Sequence, residues 1–140
     1  MINFFYETDF ILDSEPNYIH WLNRVVDSEA FSVGEINYIF CDDEYLLKVN
    51  QQYLNHDTYT DIITFDYREG DIISGDILIS VERVRENANS FKGCFKTELL
   101  RVMAHGLLHI MDYNDKMEED IKMMRSKEEE KIKLFHVEQM

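Results

Sequence analysis

Residues 97–115 read TELLRVMAHGLLHIMDYND, and this stretch predicts both the centre of the fold and a candidate site. Residues 97–111 are mostly apolar, which favours a helix that is buried on most of its surface. His105 and His109 interrupt this apolar surface. Because they are four residues apart, their side chains lie on one face of the helix about one turn apart in height, so both imidazoles can bind a single ion.

A third ligand is available directly after the helix. Zinc in proteins is held by about four ligands, and a catalytic site keeps one of these positions open. Asp115 follows His109 by six residues, in a polar, turn-like stretch, and can fold back toward the same ion. The sequence therefore predicts one metal ion, with zinc favoured, bound by His105, His109 and Asp115. The alternative is a pair of helical histidines without a metal, but two imidazoles on an apolar helix are costly to bury without partners.

Two further positions of the helix bear on the chemistry. Glu98 lies two turns before His105 on the same face and is a candidate for orienting an imidazole; the alternative is a solvated side chain in the first turn. Gly106 stands where H-E-x-x-H proteases carry the glutamate that acts as general base, so a peptidase mechanism of that kind is not expected. We expect the small residue to leave room beside the metal. A bound ion could still polarise a phosphoryl or carbonyl oxygen.

The rest of the chain alternates between strand-like and helix-like segments. Ser14 and Ser80 each precede a helical pattern and are predicted N-caps, and Arg68-Glu69-Gly70-Asp71 joins two β-rich runs as in a hairpin. The predicted order is β-α-β-α-β-β-α-α-α, which indicates a single α+β domain with a small mixed four-stranded sheet packed with helices. The predicted strands cover residues 2–6, 35–41, 62–67 and 72–79, and the predicted helices cover 15–27, 42–54, 81–91, 97–111 and 117–135, with a polar loop over 55–61.

The composition and charge restrict the possible partners. A net charge of -14 argues against loose electrostatic binding of any nucleic acid. Residues 81–101 are an exception, with five basic and three acidic side chains, although a solvated helix face is the simpler explanation. Cys41 and Cys94 are too few for a disulfide framework. No apolar stretch approaches the roughly 20 residues of a membrane helix and the first residues do not resemble a signal peptide, so we expect a soluble, cytoplasmic protein.

Taken together, these motifs resemble the YbeY family of bacterial rRNA maturation endoribonucleases. The family pattern H-G-x-L-H-x-x-G-Y-D-H corresponds to HGLLHIMDYND at residues 105–115. Upstream, TDIITF at residues 60–65 is similar to the family's T-D-V-L-S-F, and SGDILIS at residues 74–80 is similar to its G-D-I-x-I-S strand. The resemblance covers about residues 33–130, with the motifs in the same order and spacing.

The resemblance implies one endoribonuclease domain over residues 1–140, with a zincin-like metal-binding helix in its core. It implies zinc at the motif positions, which are His105, His109 and Asp115 in this sequence, with both histidines acting in catalysis through the metal. It also implies cleavage of single-stranded RNA, processing of 16S rRNA near its 3′ end and association with the small ribosomal subunit. Neither a membrane nor DNA is expected as a partner.

The sequence departs from the family pattern at several places. Asp115 stands where the family usually has histidine, and a carboxylate ligand admits other divalent metals besides zinc. Asp112-Tyr113-Asn114 replaces Gly-Tyr-Asp, so the turn after the helix must form without glycine. Leu54 stands where the family usually has an arginine that contacts RNA phosphate, and His56 or Arg68 could take over that contact.

The sequence is compatible with more than one function. The favoured one is a metal-dependent endoribonuclease, because the metal motif and the locally basic segment support it. The second is a ribosome-assembly factor that binds protein or RNA, with a structural metal and little catalysis, and the third is a metal hydrolase for an amide or a small phosphoester. The sequence does not determine the general base, for which Glu98 and a second metal-bound water are candidates. It also does not determine whether water or a 2′-hydroxyl is the nucleophile, or what the oligomeric state is.

Overall fold

The computed structural model describes residues 1–54 and 60–138, with side chains up to residue 135. In this part of the chain the elements follow the order predicted from the sequence. The elements are β1 (Ile2–Tyr6), α1 (Glu15–Ser28), β2 (Ser32–Cys41), α2 (Asp43–Leu54), β3 (Ile62–Asp66), β4 (Ile72–Ser80), α3 (Val81–Ser90), α4 (Phe95–Ile110) and α5 (Glu118–Glu138). Most of the predicted polar loop over residues 55–61 lies outside the described residues.

The strands form one mixed sheet in the order β1-β2-β4-β3. β1, β2 and β4 are parallel, and β3 pairs antiparallel with β4 through the predicted hairpin. The α+β class and the mixed four-stranded sheet predicted from the sequence are therefore confirmed. α4 packs against β3 and β4, so the end of this helix lies beside the edge strand β3.

The main core lies between one face of this sheet and helices α1, α3, α4 and α5, and α2 packs a smaller cluster around Leu46 on the other face. Ile36, Tyr38 and Phe40 alternate along β2 and are fully buried, as expected for residues that share one face of a strand. Tyr38 also joins the sheet to α4, because its hydroxyl donates a hydrogen bond of 2.8 Å to the carbonyl of Met103. Sheet and helix are thereby held in one relative position, which determines where α4 presents its polar side chains.

α4 is the central helix, as its apolar surface predicted. It begins at Phe95, because the thiol of Cys94 occupies the N-cap position and accepts a hydrogen bond from the amide of Thr97. Its most deeply buried leucine and methionine side chains are at most 1% exposed: Leu99, Leu100, Met103, Leu107 and Leu108. Because so much of this helix is buried, its polar side chains need hydrogen-bond partners or a bound ion.

The predicted helix starts at the two serines differ in detail. Ser80 caps α3, since its hydroxyl accepts a hydrogen bond of 3.1 Å from the amide of Arg83. Ser14 occupies the N-cap position of α1, but its side chain makes no hydrogen bond to the helix. Within residues 1–54 and 60–138, no helix combines the length and the apolar character needed to cross a membrane.

Gly106 is a point of close approach between α4 and the sheet. A Cβ atom at this position would lie 2.9 Å from Cγ2 of Ile77 and 3.1 Å from Cδ1 of Ile62. The glycine therefore makes room for the sheet and not for an ion, which corrects the expectation from the sequence. The physical reason is that adjacent helical residues point about 100° apart, so Gly106 faces the sheet while His105 faces outward.

Gly106→Ala is expected to lower the free energy of unfolding by about 1–3 kcal/mol. The added methyl group overlaps with the Cγ2 methyl group of Ile77, which is attached close to the backbone of β4 and cannot move aside freely. A gain of about 1 kcal/mol in helix propensity offsets only part of this cost. Urea unfolding followed by circular dichroism measures the effect, with Gly93→Ala as matched control, because a Cβ there is 3.9 Å from its nearest neighbour. An unchanged stability of Gly106→Ala would contradict the packing argument.

Candidate metal centre

Both predicted histidine ligands lie in the last turns of α4, at the accessible end of a buried helix. The centroids of their rings are 4.5 Å apart, and the ring planes make an angle of 83°. The side chain of His105 is 20% exposed and that of His109 is 32% exposed. The imidazoles are thus recessed but accessible, and the predicted placement on one helix face is confirmed.

The chain turns back toward the histidines through a helix-ending turn that needs no glycine. Asp112 has a φ angle of 78°, in the left-handed region that usually favours glycine. The amides of Asp112 and Tyr113 donate hydrogen bonds of 3.2 and 2.9 Å to the carbonyls of His109 and Leu108, as in a Schellman motif. Aspartate tolerates this conformation better than most residues do, and Arg68 contacts its carboxylate over 2.8 Å.

After this turn, Asp115 faces both histidines. Its Oδ2 atom lies 3.3 Å from Nε2 of His105 and 3.4 Å from Nε2 of His109. Two ligand atoms that are each about 2.0–2.1 Å from a tetrahedrally coordinated ion are about 3.3–3.4 Å apart. The structure therefore brings the three predicted residues together as a possible metal-binding group, with all their ligand atoms within 4.8 Å of one another.

A carboxylate from α5 is hydrogen-bonded to His105 at the ring nitrogen that does not face Asp115. Nδ1 of His105 donates a hydrogen bond of 2.7 Å to Glu128, whose side chain is only 6% exposed. With its proton on Nδ1, the imidazole presents the lone pair of Nε2 to the ligand position. Glu98, the candidate for this contact from the sequence, lies instead beside Arg101, with 3.5 Å between Oε1 and Nε.

Sequence reasoning missed Glu128 because no local pattern distinguishes it. The residue is 23 positions downstream of its partner His105, in a run of charged side chains on α5. The next two residues, Glu129 and Glu130, are also glutamates, and helical periodicity alone does not tell which of the three faces inward. Only the packing of α5 against α4 selects this carboxylate and buries it.

Carboxylates create a negative environment around His105. Burial disfavours the imidazolium, but the hydrogen bond to Glu128 and the charges of Glu128, Asp115 and Asp61 raise the pKa of His105 above its ordinary value. Burial raises the pKa of Asp61 as well, although the charge of His105 opposes this. Negative charge gathered around recessed imidazoles is an electrostatic setting that a divalent cation neutralises.

The candidate centre lies in a cleft of about 570 Å³. The edge strand β3 contributes Thr64 and Asp66 to its wall, and the preceding segment contributes Asp61. Asn50, on the facing side of α2, is 4% exposed and also lines the cleft. These lining residues come from elements that are far apart in the sequence, so no spacing rule could have assigned them to one site.

Leu54 lines the cleft at the position where the family pattern usually has arginine. Arg68 does not replace that arginine in this structure, because its guanidinium is bound at the end of α4. It donates a hydrogen bond of 3.0 Å to the carbonyl of Ile110 and lies 4.7 Å from the centroid of the Phe31 ring. His56, the other suggested replacement, lies outside the described residues.

Glu128→Gln is expected to weaken metal binding about 10- to 100-fold. A neutral amide accepts a weaker hydrogen bond from Nδ1 than a carboxylate does, so the imidazole is less well oriented and less basic. Competition with a metal-chelating dye measures the affinity. Glu129→Gln is the matched control, because Glu129 contacts Arg101 over 2.7 Å but has no contact with His105. Equal affinities for both variants would rule out this role of Glu128.

Fold and site together define the class of this protein: a small α+β domain with one candidate centre made of two histidines from a central helix and an aspartate from the turn that follows it. A family model described as Endoribonuclease YbeY matches residues 6–136. The chain belongs to this family of endoribonucleases, as the resemblance of its motifs predicted.

Individual relatives match nearly the whole chain. Endoribonuclease YbeY of Flavobacterium psychrophilum is 63% identical over 139 residues, which are 99% of each chain. Endoribonuclease YbeY of Flavobacterium johnsoniae is 61% identical over 139 residues, which are 99% of this chain and 100% of the relative. Among solved structures, the solution structure of TM1509 from Thermotoga maritima has a TM-score of 0.72 and 30% identity, and covers 96% of this chain and 89% of that one. The same fold therefore occurs in an experimental structure.

Proposed function

We propose that this protein is an endoribonuclease that cleaves single-stranded RNA with one zinc ion bound by His105, His109 and Asp115. The observation that carries the proposal is the spacing of the ligand atoms, 3.3 and 3.4 Å from the aspartate oxygen to the two imidazole nitrogens. This spacing occurs in a chain that belongs to the endoribonuclease YbeY family. The proposal treats residues 1–140 as one such domain.

The donor set supports zinc as the ion. Two imidazole nitrogens and one carboxylate oxygen suit Zn²⁺, and three protein ligands leave a fourth position open. When bound, such an ion polarises a phosphoryl oxygen and activates water near neutral pH. The carboxylate also admits other divalent ions such as Mn²⁺, so the native metal has to be measured.

Each polar residue of the centre has a separate task in this proposal. His105 and His109 act in catalysis through the metal, Asp115 completes the ligand set and Glu128 orients His105. Glu98 stays a candidate for a supporting role. Its contact with Arg101 gives it an indirect connection to the centre, because the same guanidinium lies 3.4 Å from Glu128.

The depth of the centre supports a single-stranded substrate. Most of each histidine side chain is covered, and the ligands lie inside a cleft between β3 and α2. A phosphate can reach them only if its strand enters the cleft. A flexible single strand can do this, whereas the regular backbone of an A-form duplex is held at the outside of a rigid helix.

The overall charge supports a ribosomal context for the reaction. A protein with a net charge of -14 is repelled by free RNA at long range. The family resemblance implies action in the cytoplasm on 16S rRNA near the 3′ end, and the charge fits a substrate that the small ribosomal subunit presents. Basic ribosomal proteins would compensate for the acidic surface.

RNA cleavage by the purified protein tests the proposal. The bound metal is first determined by elemental mass spectrometry, and the protein is then incubated with a single-stranded 16S 3′-end RNA and with the same RNA annealed to its complement. We expect cleavage of the single strand, little cleavage of the duplex, loss of activity on chelation and recovery with Zn²⁺. If protein with one zinc per chain leaves the single strand intact, the proposal is wrong.

A second candidate function is a ribosome-assembly factor with a structural metal. The observation that favours it is Leu54, an apolar side chain in the cleft at the usual place of a phosphate-binding arginine. Cells that lack the protein distinguish the two functions. Full rescue of ribosome assembly by His105→Ala would favour the assembly factor, and failure of that variant to rescue would favour the enzyme.

A further inference from the structure

A groove continues from the candidate metal centre between α3, α4 and α5. One cavity of about 320 Å³ is lined by His105 and Asp115 of the centre and also by Phe91 and Arg125. An adjoining cavity of about 370 Å³ is again lined by Phe91 and Arg125, and by Gly93 beyond them. Both volumes fall within the range of about 300–1,000 Å³ for ligand sites. The surface next to the centre therefore has room for a further part of the substrate.

Phe91 presents an aromatic ring at this groove. The residue is 72% exposed, and within the described part of the chain no other ring stacks on it. Its position is well defined, because it ends α3 in a Schellman pattern: Lys92 has a φ angle of 54° and the amide of Gly93 donates a hydrogen bond of 2.8 Å to the carbonyl of Ala88. The exposed ring is therefore accessible to a ligand that enters the groove.

Arg125 gives the same groove an accessible positive charge. Its side chain is 60% exposed, and Glu128 approaches its guanidinium only to 3.7 Å. That carboxylate is engaged more closely by His105, over 2.7 Å. Glu98, the other glutamate on the groove wall, contacts Arg101. A guanidinium beside glutamates that have other partners remains available to an anion.

We propose that this groove binds the nucleotide next to the cleaved phosphate, with its base stacked on Phe91 and its phosphate near Arg125. The inference rests on the proposed function and deepens it by naming a substrate subsite. An aromatic ring that stacks on a base and a cation that contacts the backbone are the two elements with which proteins bind single-stranded RNA. Stacking requires an unpaired base, so the subsite adds to selection of single strands.

Fluorescence of Phe91→Trp tests base stacking without any need for cleavage. The natural chain has a single tryptophan, Trp21, which is fully buried. An added tryptophan at the groove reports on a stacked base through quenching of its emission. The ligand is a 2′-O-methyl RNA of about eight nucleotides, which matches a short single-strand site. It has no 2′-hydroxyl to act as nucleophile, and its length is checked after each titration. Phe5→Trp is the matched control, since Phe5 is 49% exposed on β1 and does not line the groove.

We expect the RNA to quench Phe91→Trp and leave Phe5→Trp unchanged, and an abasic oligomer of the same length to quench neither. In cleavage assays, Phe91→Ala should raise KM about tenfold, the effect of one lost stacking contact, while Phe91→Trp keeps KM near that of the wild type. Bound metal should be the same in all variants. An absence of quenching together with an unchanged KM of Phe91→Ala would overturn the subsite. Quenching by an RNA that the wild type cannot cleave would retain the subsite and refute the proposed activity.

Salt dependence tests the phosphate contact separately. Arg125→Gln should weaken binding of the 2′-O-methyl RNA and lower the slope of log affinity against log salt by about one. Lys122→Gln on the same helix is the control, because the Lys122 side chain is 78% exposed and pairs only distantly, at 4.0 Å, with Glu118. Equal slopes for Arg125→Gln and the wild type would remove Arg125 from the subsite.

Discussion

Replacing His105 with alanine is expected to lower the rate constant for RNA cleavage at least about a thousandfold and to release the bound metal. In the proposed centre, His105 supplies one of the three ligands and is the one that contacts Glu128, so its loss removes both a donor and its support. A metal ion contributes several kcal/mol of charge stabilisation in the transition state, and about 4 kcal/mol corresponds to this factor. Single-turnover cleavage and metal content, measured on the same sample, give both results.

Companion variants separate the metal centre from a general effect on the protein. His20→Ala should behave like the wild type, because this exposed histidine on α1 does not line the cleft. Asp115→Ala should also lose the metal. Asp115→His should retain it, because imidazole is a competent zinc ligand at that position. Cleavage by His105→Ala at the wild-type rate, with a normal circular dichroism spectrum, would refute the role of the centre in the chemistry.

Glu29→Gln is expected to lower the free energy of unfolding near neutral pH by about 3 kcal/mol. The carboxylate of Glu29 accepts hydrogen bonds of 2.7 Å from Lys131, 3.1 Å from Lys127 and 2.6 Å from Tyr113. Lys131 is 0% exposed, so its ammonium group depends on a nearby carboxylate such as that of Glu29. Removal of one member of a buried ion pair leaves the other charge poorly compensated. Urea unfolding at equilibrium measures the difference.

The effect of Glu29→Gln should depend on pH in a defined direction. Burial of the carboxyl raises its pKa, but the hydrogen bonds from Lys131, Tyr113 and Lys127 outweigh this and lower the pKa of Glu29 from 4.5 to about 2. A carboxyl with a lowered pKa stabilises the folded state above its unfolded pKa, and this contribution is lost as the pH falls through the folded pKa. The difference between wild type and variant should therefore be complete above pH 4.5 and shrink toward pH 2.

Glu130→Gln is the control for this pair. Glu130 contacts the same ammonium group over 2.6 Å, but its side chain is 53% exposed, so solvent screens the interaction. Its replacement should cost no more than about 1 kcal/mol. Equal losses for Glu29→Gln and Glu130→Gln, or a difference that does not change with pH, would show that the lower exposure of Glu29 does not explain its effect on stability.

The buried network around Glu29 also contributes to the geometry of the candidate centre. Tyr113 lies two residues before Asp115, in the turn that brings this ligand back to the histidines. Its hydroxyl is bound to Glu29 at the end of α1, and Lys127 and Lys131 join the same carboxylate from α5. The turn is therefore held by two helices other than the one that it ends, which restricts where Asp115 can lie.

Much of the fold could be predicted from the sequence because its patterns are local. Within the predicted strand 35–41, Ile36, Tyr38 and Phe40 alternate with other residues, a pattern that indicates one buried face, and that face is buried. The spacing of His105 and His109 placed both imidazoles on one side of a helix, because an α-helix repeats about every 3.6 residues. The family motifs then implied Asp115 as a ligand, and the structure places its oxygen 3.3 and 3.4 Å from the two nitrogens.

Tertiary structure decided the features that depend on contacts between distant segments. The packing of α5 on α4 chose Glu128, and not Glu98, as the partner of His105. The approach of α4 to Ile77 explains Gly106, which the sequence had suggested as space for a metal. The sequence by itself thus determined which residues are the candidate ligands and on which element they lie, because helical and strand periodicity act over a few neighbouring residues. Which side chains support and surround them is set by packing between segments, for which the sequence has no periodic signal.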